Sequence, residues 1–293
     1  MTFFNWLGKA NLKSDGIFTF EPNHPMNEVD QEQIEQNHWN AIELLRDMES
    51  TSMWEHVFAL RRMGTISVLE KALSWCSELD PFRRSIGVLI LSEMGDDGQR
   101  YSEEAGAMIR TMIQSEQDQD VITSLISAVN FREIAEASDW LISLANHPDE
   151  DVRWRVAWGL PIPNQHDSEM NRLAIETLIR LSVDSEPSVR EWATFSLSVT
   201  EEDSPNLREA LLDRMKDPDF NTRSEAAIGL ARRKELRGIP LLVEHLKSDR
   251  VGELYLQAAE IYADPKLKPA LVALKRWWNV DPDLVARAIA ACS

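Results

Sequence analysis

Cysteine occurs only twice in 293 residues. Cys76 and Cys292 are too few and too far apart for a disulfide framework, and their apolar helical surroundings predict buried free thiols. Glycine is scarce, at 11 residues, and no run of alternating Val, Ile and Thr demands a sheet. No stretch of eighteen uninterrupted apolar residues exists, so no membrane span is expected. The first residues, Met1-Thr-Phe-Phe-Asn-Trp-Leu-Gly-Lys9, lack the basic start and long apolar core of a signal peptide. Together with the free thiols this points to a cytoplasmic location. Positive charge is also short: 31 Lys and Arg face 49 Asp and Glu, a net charge of −18. Residues 1–204 hold 36 acids and 16 bases, whereas residues 205–293 hold 13 acids and 15 bases. Such a body repels a phosphate backbone, so no nucleic acid is expected. It attracts and steers a basic protein partner.

The usual signatures of chemistry are missing as well. There is no Gly-rich phosphate loop, no His-Glu-x-x-His and no Cys-x-x-Cys. The six histidines are scattered, and Glu35 with His38 makes a single i, i+3 pair, which is not a metal site. Glu201-Glu202-Asp203 reads as a solvated turn before Ser204-Pro205. The expectation is a protein that is not an enzyme and holds neither metal nor cofactor.

What the chain does have is one sentence, repeated. In His147-Pro-Asp-Glu-Asp-Val-Arg-Trp-Arg-Val-Ala-Trp-Gly-Leu160, a proline and three acids suit the positive end of a helix dipole. Val152, Val156, Gly159 and Leu160 then form one apolar helix face, and Pro161 and Pro163 stop the helix. With Val152 as position zero, the equivalents are Arg83, Val121, Val189, Thr222, Leu254 and Ala286. The steps between them are 38, 31, 37, 33, 32 and 32 residues. An acid stands three residues earlier in six of seven cases, from Asp80 to Asp283, and an arginine one residue later in five: Arg84, Arg153, Arg190, Arg223 and Arg287. Helix pairs at a fixed period, each with an apolar face that only its neighbours cover, make a solenoid.

The acid-x-x-Val-Arg-x-x-x-Ala-x-x-Leu grammar, as in Asp149-Glu-Asp-Val-Arg153 and Asp217-Pro-Asp-Phe-Asn-Thr-Arg223, resembles HEAT repeats, and the short period resembles the bacterial phycobilin-lyase-like type. The resemblance implies an all-α fold, a right-handed α-α superhelix. It also implies that acid and arginine bond between neighbouring repeats as a ladder, a structural role that falls to Asp149, Arg153, Glu186, Arg190, Asp219 and Arg223. Ile122 and Tyr255 replace the arginine in two repeats, where the ladder is expected to break. Residues 1–64 form an irregular segment and helical cap, with Phe3, Phe4, Trp6 and Leu7 as a short amphipathic turn. Residues 65–293 form about seven helix pairs in one continuous solenoid.

At about 100° per residue, positions +2 and +6 fall opposite the apolar face, with +3 at the shoulder. Three adjacent repeats then place Trp154, Trp158, Trp192, Phe195 and Ile228 toward solvent, with Arg155, Glu191 and Glu225 beside them. Aromatics with a charged rim suit a protein-binding hot spot. The function expected is a non-catalytic protein-binding protein whose concave face takes a basic protein, in its most concrete form an immunity- or antitoxin-type inhibitor of a toxin. The alternative is a HEAT-like enzyme resembling alkylpurine DNA glycosylases or phycobilin lyases. The acidic central repeats lack the basic groove of the first, and no feature requires a bilin.

Overall fold

Side-chain caps and prolines set the helix boundaries. Asp80, Asp118, Asp149 and Asp219 each accept from backbone N–H groups of the turn that follows, satisfying donors that a helix start leaves open. The structure is a computed structural model that describes residues 28–46, 51–95, 97–160, 168–278 and 280–293. The amphipathic turn expected at Phe3 to Leu7 and the stop signals Pro161 and Pro163 lie outside the described residues.

The described chain is helical. In order the helices are α1 (Glu28–Leu44), α2 (Thr51–Met63), α3 (Ile66–Cys76), α4 (Pro81–Ser92), α5 (Ser102–Met112), α6 (Gln119–Phe131), α7 (Ser138–Leu144) and α8 (Glu150–Gly159). They continue with α9 (Ser168–Leu181), α10 (Pro187–Val199), α11 (Pro205–Arg214), α12 (Phe220–Arg232), α13 (Gly238–Leu246), α14 (Glu253–Tyr262), α15 (Lys268–Leu274) and α16 (Pro282–Ala291). Among the described residues no helix is long and apolar enough to cross a membrane.

Two compact units are present, Met1–His56 and Val57–Ser293, and their boundary falls within α2. In the first unit Trp39 and Ile42 are buried, and the His38 and His56 rings meet with their Nδ1 atoms 2.9 Å apart. The second unit is the solenoid. The even-numbered helices α4 to α16 each pack on the next even-numbered helix, and each odd-numbered helix packs on its own partner. The even helices touch one another more extensively than the odd ones do. On a curved double layer the more closely stacked layer is the inner one, so the even helices line the concave side.

Positions 0, +4, +5 and +8 form the core. Val152, Val156, Ala157 and Leu160 are buried, as are Val189, Ala193, Thr194 and Leu197. The last repeat departs from the expected register. Asp281, not Asp283, caps α16 by accepting from the Leu284 N–H, and Leu284, Ala288 and Cys292 are the buried stripe. Leu284 therefore occupies position zero, and Arg287 leaves the ladder to pair back onto Glu260 at 3.1 Å. The sequence over 132–146 reads as one helix, but the structure has only a single 3-10 turn, Ala135–Ala137, followed by α7. Arg132 caps α6 through its backbone N–H, and Glu133 turns the chain at φ 52. The Arg132 guanidinium then donates to the Leu91 and Arg100 carbonyls.

Gly87 marks a close backbone approach within a pair. A Cβ there would meet the Ala72 carbonyl at 2.8 Å and the Cys76 sulfur at 2.9 Å. Gly87→Ala is expected to cost about 1–3 kcal/mol, read as a lower urea midpoint at unchanged slope. Both cysteines are buried and free, and burial pushes the Cys76 thiol up to about 12.

Candidate protein-binding face

The ladder is real, but its acids are not the ones expected. Arg153 clasps Asp184 through Nε and Nη2 at 2.8 and 2.9 Å. Arg190 clasps Asp217 at 3.0 Å with both nitrogens, and Arg84 clasps Glu116 at 2.8 and 3.0 Å. In each case Nη1 donates to two carbonyls of the preceding loop. The acids sit five residues before position zero, in the loop between paired helices. Asp149 and Asp219, expected in the ladder, are N-caps instead, and Glu186 caps by position without a side-chain bond. The reason is reach: the −3 side chain is occupied by its own helix start, whereas the −5 side chain projects toward the neighbouring arginine. Arg223 closes no ion pair among the described residues.

The sequence carries a signal for this that the resemblance obscured. Where the ladder arginine is replaced by Ile122, the −5 residue of the next repeat is His147, not an acid.

The predicted face divides in two. Trp154 and Ile228 are buried, at 6% and 3% exposure, and are corrected from binding residues to packing residues. Stacked helices cover positions that an isolated helix would leave open: at +6, Leu89 and Ser127 are buried too. The Trp154 indole donates to Asp151 at 2.8 Å, lies 6.1 Å from the Trp192 ring and carries the Arg155 guanidinium 4.5 Å above it. Trp158 is half-buried and meets Phe131 edge-on at 5.9 Å.

Arg155, Trp158, Glu191, Trp192, Phe195 and Glu225 remain half-buried. The Trp192 and Phe195 rings meet edge-on at 5.5 Å. Glu191 accepts from the Asn221 amide at 3.3 Å, and Glu225 accepts from the Ser198 hydroxyl at 3.4 Å. Neither acid closes an ion pair among the described residues. Burial raises Glu191 above the usual carboxylate range. Burial, and then the charge of Glu191, push Glu225 up to about 7. Burial also lowers Arg155, with Asp151 working in the opposite direction. The face thus offers two aromatic rings and two carboxylates that close no ion pair among the described residues, a combination that a lysine or arginine side chain can satisfy. Among the described residues no group of three or more His, Cys, Asp or Glu is placed to hold a metal ion.

A family profile described as HEAT repeats matches residues 175–263, from within α9 to the end of α14. Over those residues the chain carries HEAT repeats, and the helix pairs on either side of them follow the same stacking. Protein YibA of Escherichia coli strain K12 is 24% identical to it over 269 residues, covering 86% of this chain and 92% of YibA. The O157:H7 form of YibA matches to the same extent. The X-ray structure of the E. coli YibA superposes with a TM-score of 0.70 at 22% identity, over 92% of this chain and 97% of that one. That likeness shows a shared HEAT-like solenoid along nearly the whole length.

Proposed function

We propose that this HEAT-like solenoid is a non-catalytic protein-binding protein whose inner face, between α8 and α12, holds a basic protein. The observation that supports this most is the cluster of Trp192, Phe195, Glu191 and Glu225. Two half-buried acids lie beside half-buried aromatic rings with no ion-pair partner among the described residues, and the only charge acting on Glu225 against burial is that of Arg232, beyond salt-bridge distance. Leaving them so is costly within the chain alone, and a partner's cation relieves it. The excess of acids over residues 1–204 adds long-range attraction for the same class of partner. In its most concrete form the reading is an immunity- or antitoxin-type inhibitor in the cytoplasm, which would occlude a basic toxin by covering it.

Capture from the native host with the full chain as bait, followed by mass spectrometry, tests the reading. The expected result is one basic protein retained at low salt, with an association rate that falls steeply as ionic strength rises. Retention of nucleic acid or bilin in its place would sink it.

A further inference from the structure

The ladder stops at Arg223, and a cavity opens where the next rung would be. Arg223 keeps the inner half of the arrangement: its Nη1 donates to the Asp217 and Pro218 carbonyls at 2.5 and 2.9 Å. Its Nε and Nη2, the two donors that clasp a carboxylate in the other three rungs, meet no acceptor among the described residues. Asp249 holds the −5 position of the next repeat, yet it is exposed and closes no ion pair among the described residues. In front of Arg223 lies a cavity of about 450 Å³ whose lining includes Lys216, Arg223, His245, Asp249, Arg250 and Tyr255.

The charges there are unbalanced. Asp217, also at the wall, is already held by Arg190 and Arg214. That leaves three cations against Asp249 alone. Arg250 lies 4.1 Å over the Phe220 ring and closes no ion pair among the described residues. Tyr255 is buried, and its hydroxyl has no hydrogen-bond partner. Its ring stacks on His245 at 5.2 Å and 6°, and His245 is fixed in turn by the Met215 carbonyl at 2.8 Å. The site also falls within residues 205–293, where acids do not outnumber bases.

We propose that this cavity is a carboxylate-binding site in which an external carboxylate takes the place that Glu116, Asp184 and Asp217 take in the other rungs, clasped by Nε and Nη2 of Arg223 with Arg250 alongside. The ligand is a small dicarboxylate or the Asp or Glu side chain of a second polypeptide, and Asp249 is the internal competitor at the rim. The site is separate from the inner face and does not depend on what that face binds.

Two readouts test it. In calorimetry at constant ionic strength, glutarate and a hexaglutamate peptide are titrated into the full chain, with sodium chloride and inorganic phosphate as comparisons. Binding by glutarate with the peptide no tighter identifies a small-molecule site. Tenfold tighter binding of the peptide identifies a polypeptide side chain. Arg223→Gln and Arg250→Gln should each weaken binding at least tenfold, and Asp249→Asn should strengthen it severalfold. In NMR, His245 sits below its ordinary value because of burial and then the Arg223 charge, with the Met215 carbonyl and Glu244 opposing. A bound carboxylate beside it should raise its titration midpoint, with the resonance assigned through His245→Gln. No binding beyond that of chloride, equal binding by Arg223→Gln and Arg250→Gln, or phosphate binding tenfold tighter than glutarate would overturn the assignment.

Discussion

Asp217→Ala is expected to destabilise the protein by about 3–5 kcal/mol, the range for removing one partner of a buried ion pair. The Asp217 side chain is only 2% exposed and serves three elements. It takes both free nitrogens of Arg190 from the preceding repeat, one nitrogen of Arg214 from its own pair, and the backbone N–H of Asp219 at the start of α12. Alanine leaves the buried Arg190 guanidinium with loop carbonyls only and frees the α12 entrance. Arg223→Gln removes an arginine at the same register position but breaks no carboxylate rung, so its cost is expected to stay below about 1 kcal/mol, near that of lost loop hydrogen bonds. Urea unfolding of the two variants under one set of conditions checks both. Equal losses would show that the arginines act through packing and not through the rungs.

The second large effect concerns Glu225. Its folded value of about 7 lies above its ordinary 4.5. A raised acid contributes stability that is fully present below its unfolded value and is lost as pH rises through its folded one. Stability should therefore fall between about pH 4.5 and 7, by about 2 kcal/mol after allowance for the exposed part of the group. Glu225→Gln should flatten that segment of the profile and make the protein more stable than the wild type at pH 8. Binding of a cationic partner carries the opposite sign. The cation favours the ionised carboxylate, so affinity should rise about tenfold from pH 6 to pH 8, with proton uptake by the buffer on mixing. A pH-independent affinity would place the partner's charge elsewhere.

Much of the fold was legible because its causes are local. Pro81–Ser92 and Glu150–Gly159 follow from an aspartate cap, a proline and apolar spacing within one helix, and the seven pairs follow from repetition of that local grammar. The inner face was legible only in part. Trp154 and Trp192 occupy positions that a lone helix exposes, but neighbouring helices stack so closely that Trp154 is covered while Trp192 remains at the surface. That difference is set by the adjacent repeat, and helical angle alone does not contain it. The ladder acids were hidden for a related reason. Asp149 and Asp219 are the more regular acids in the sequence because every helix start needs a cap. Asp184 and Asp217 do the cross-linking, and their identity follows only when the −5 column is matched to the arginine of the repeat before it. The slip at α16 came from extending the 32-residue step past Leu254, where Asp281 starts the helix two residues earlier.

The most direct test of the protein-binding claim compares the full chain with its Trp192→Ala variant as baits in the same native-host lysate. Trp192 is half-exposed and is replaced without touching a rung of the ladder, so an unchanged urea midpoint can be verified first. The account predicts one basic protein retained by the wild type and reduced about tenfold or more on the variant, as loss of an aromatic hot spot requires. Equal recovery of that protein on both baits would contradict it.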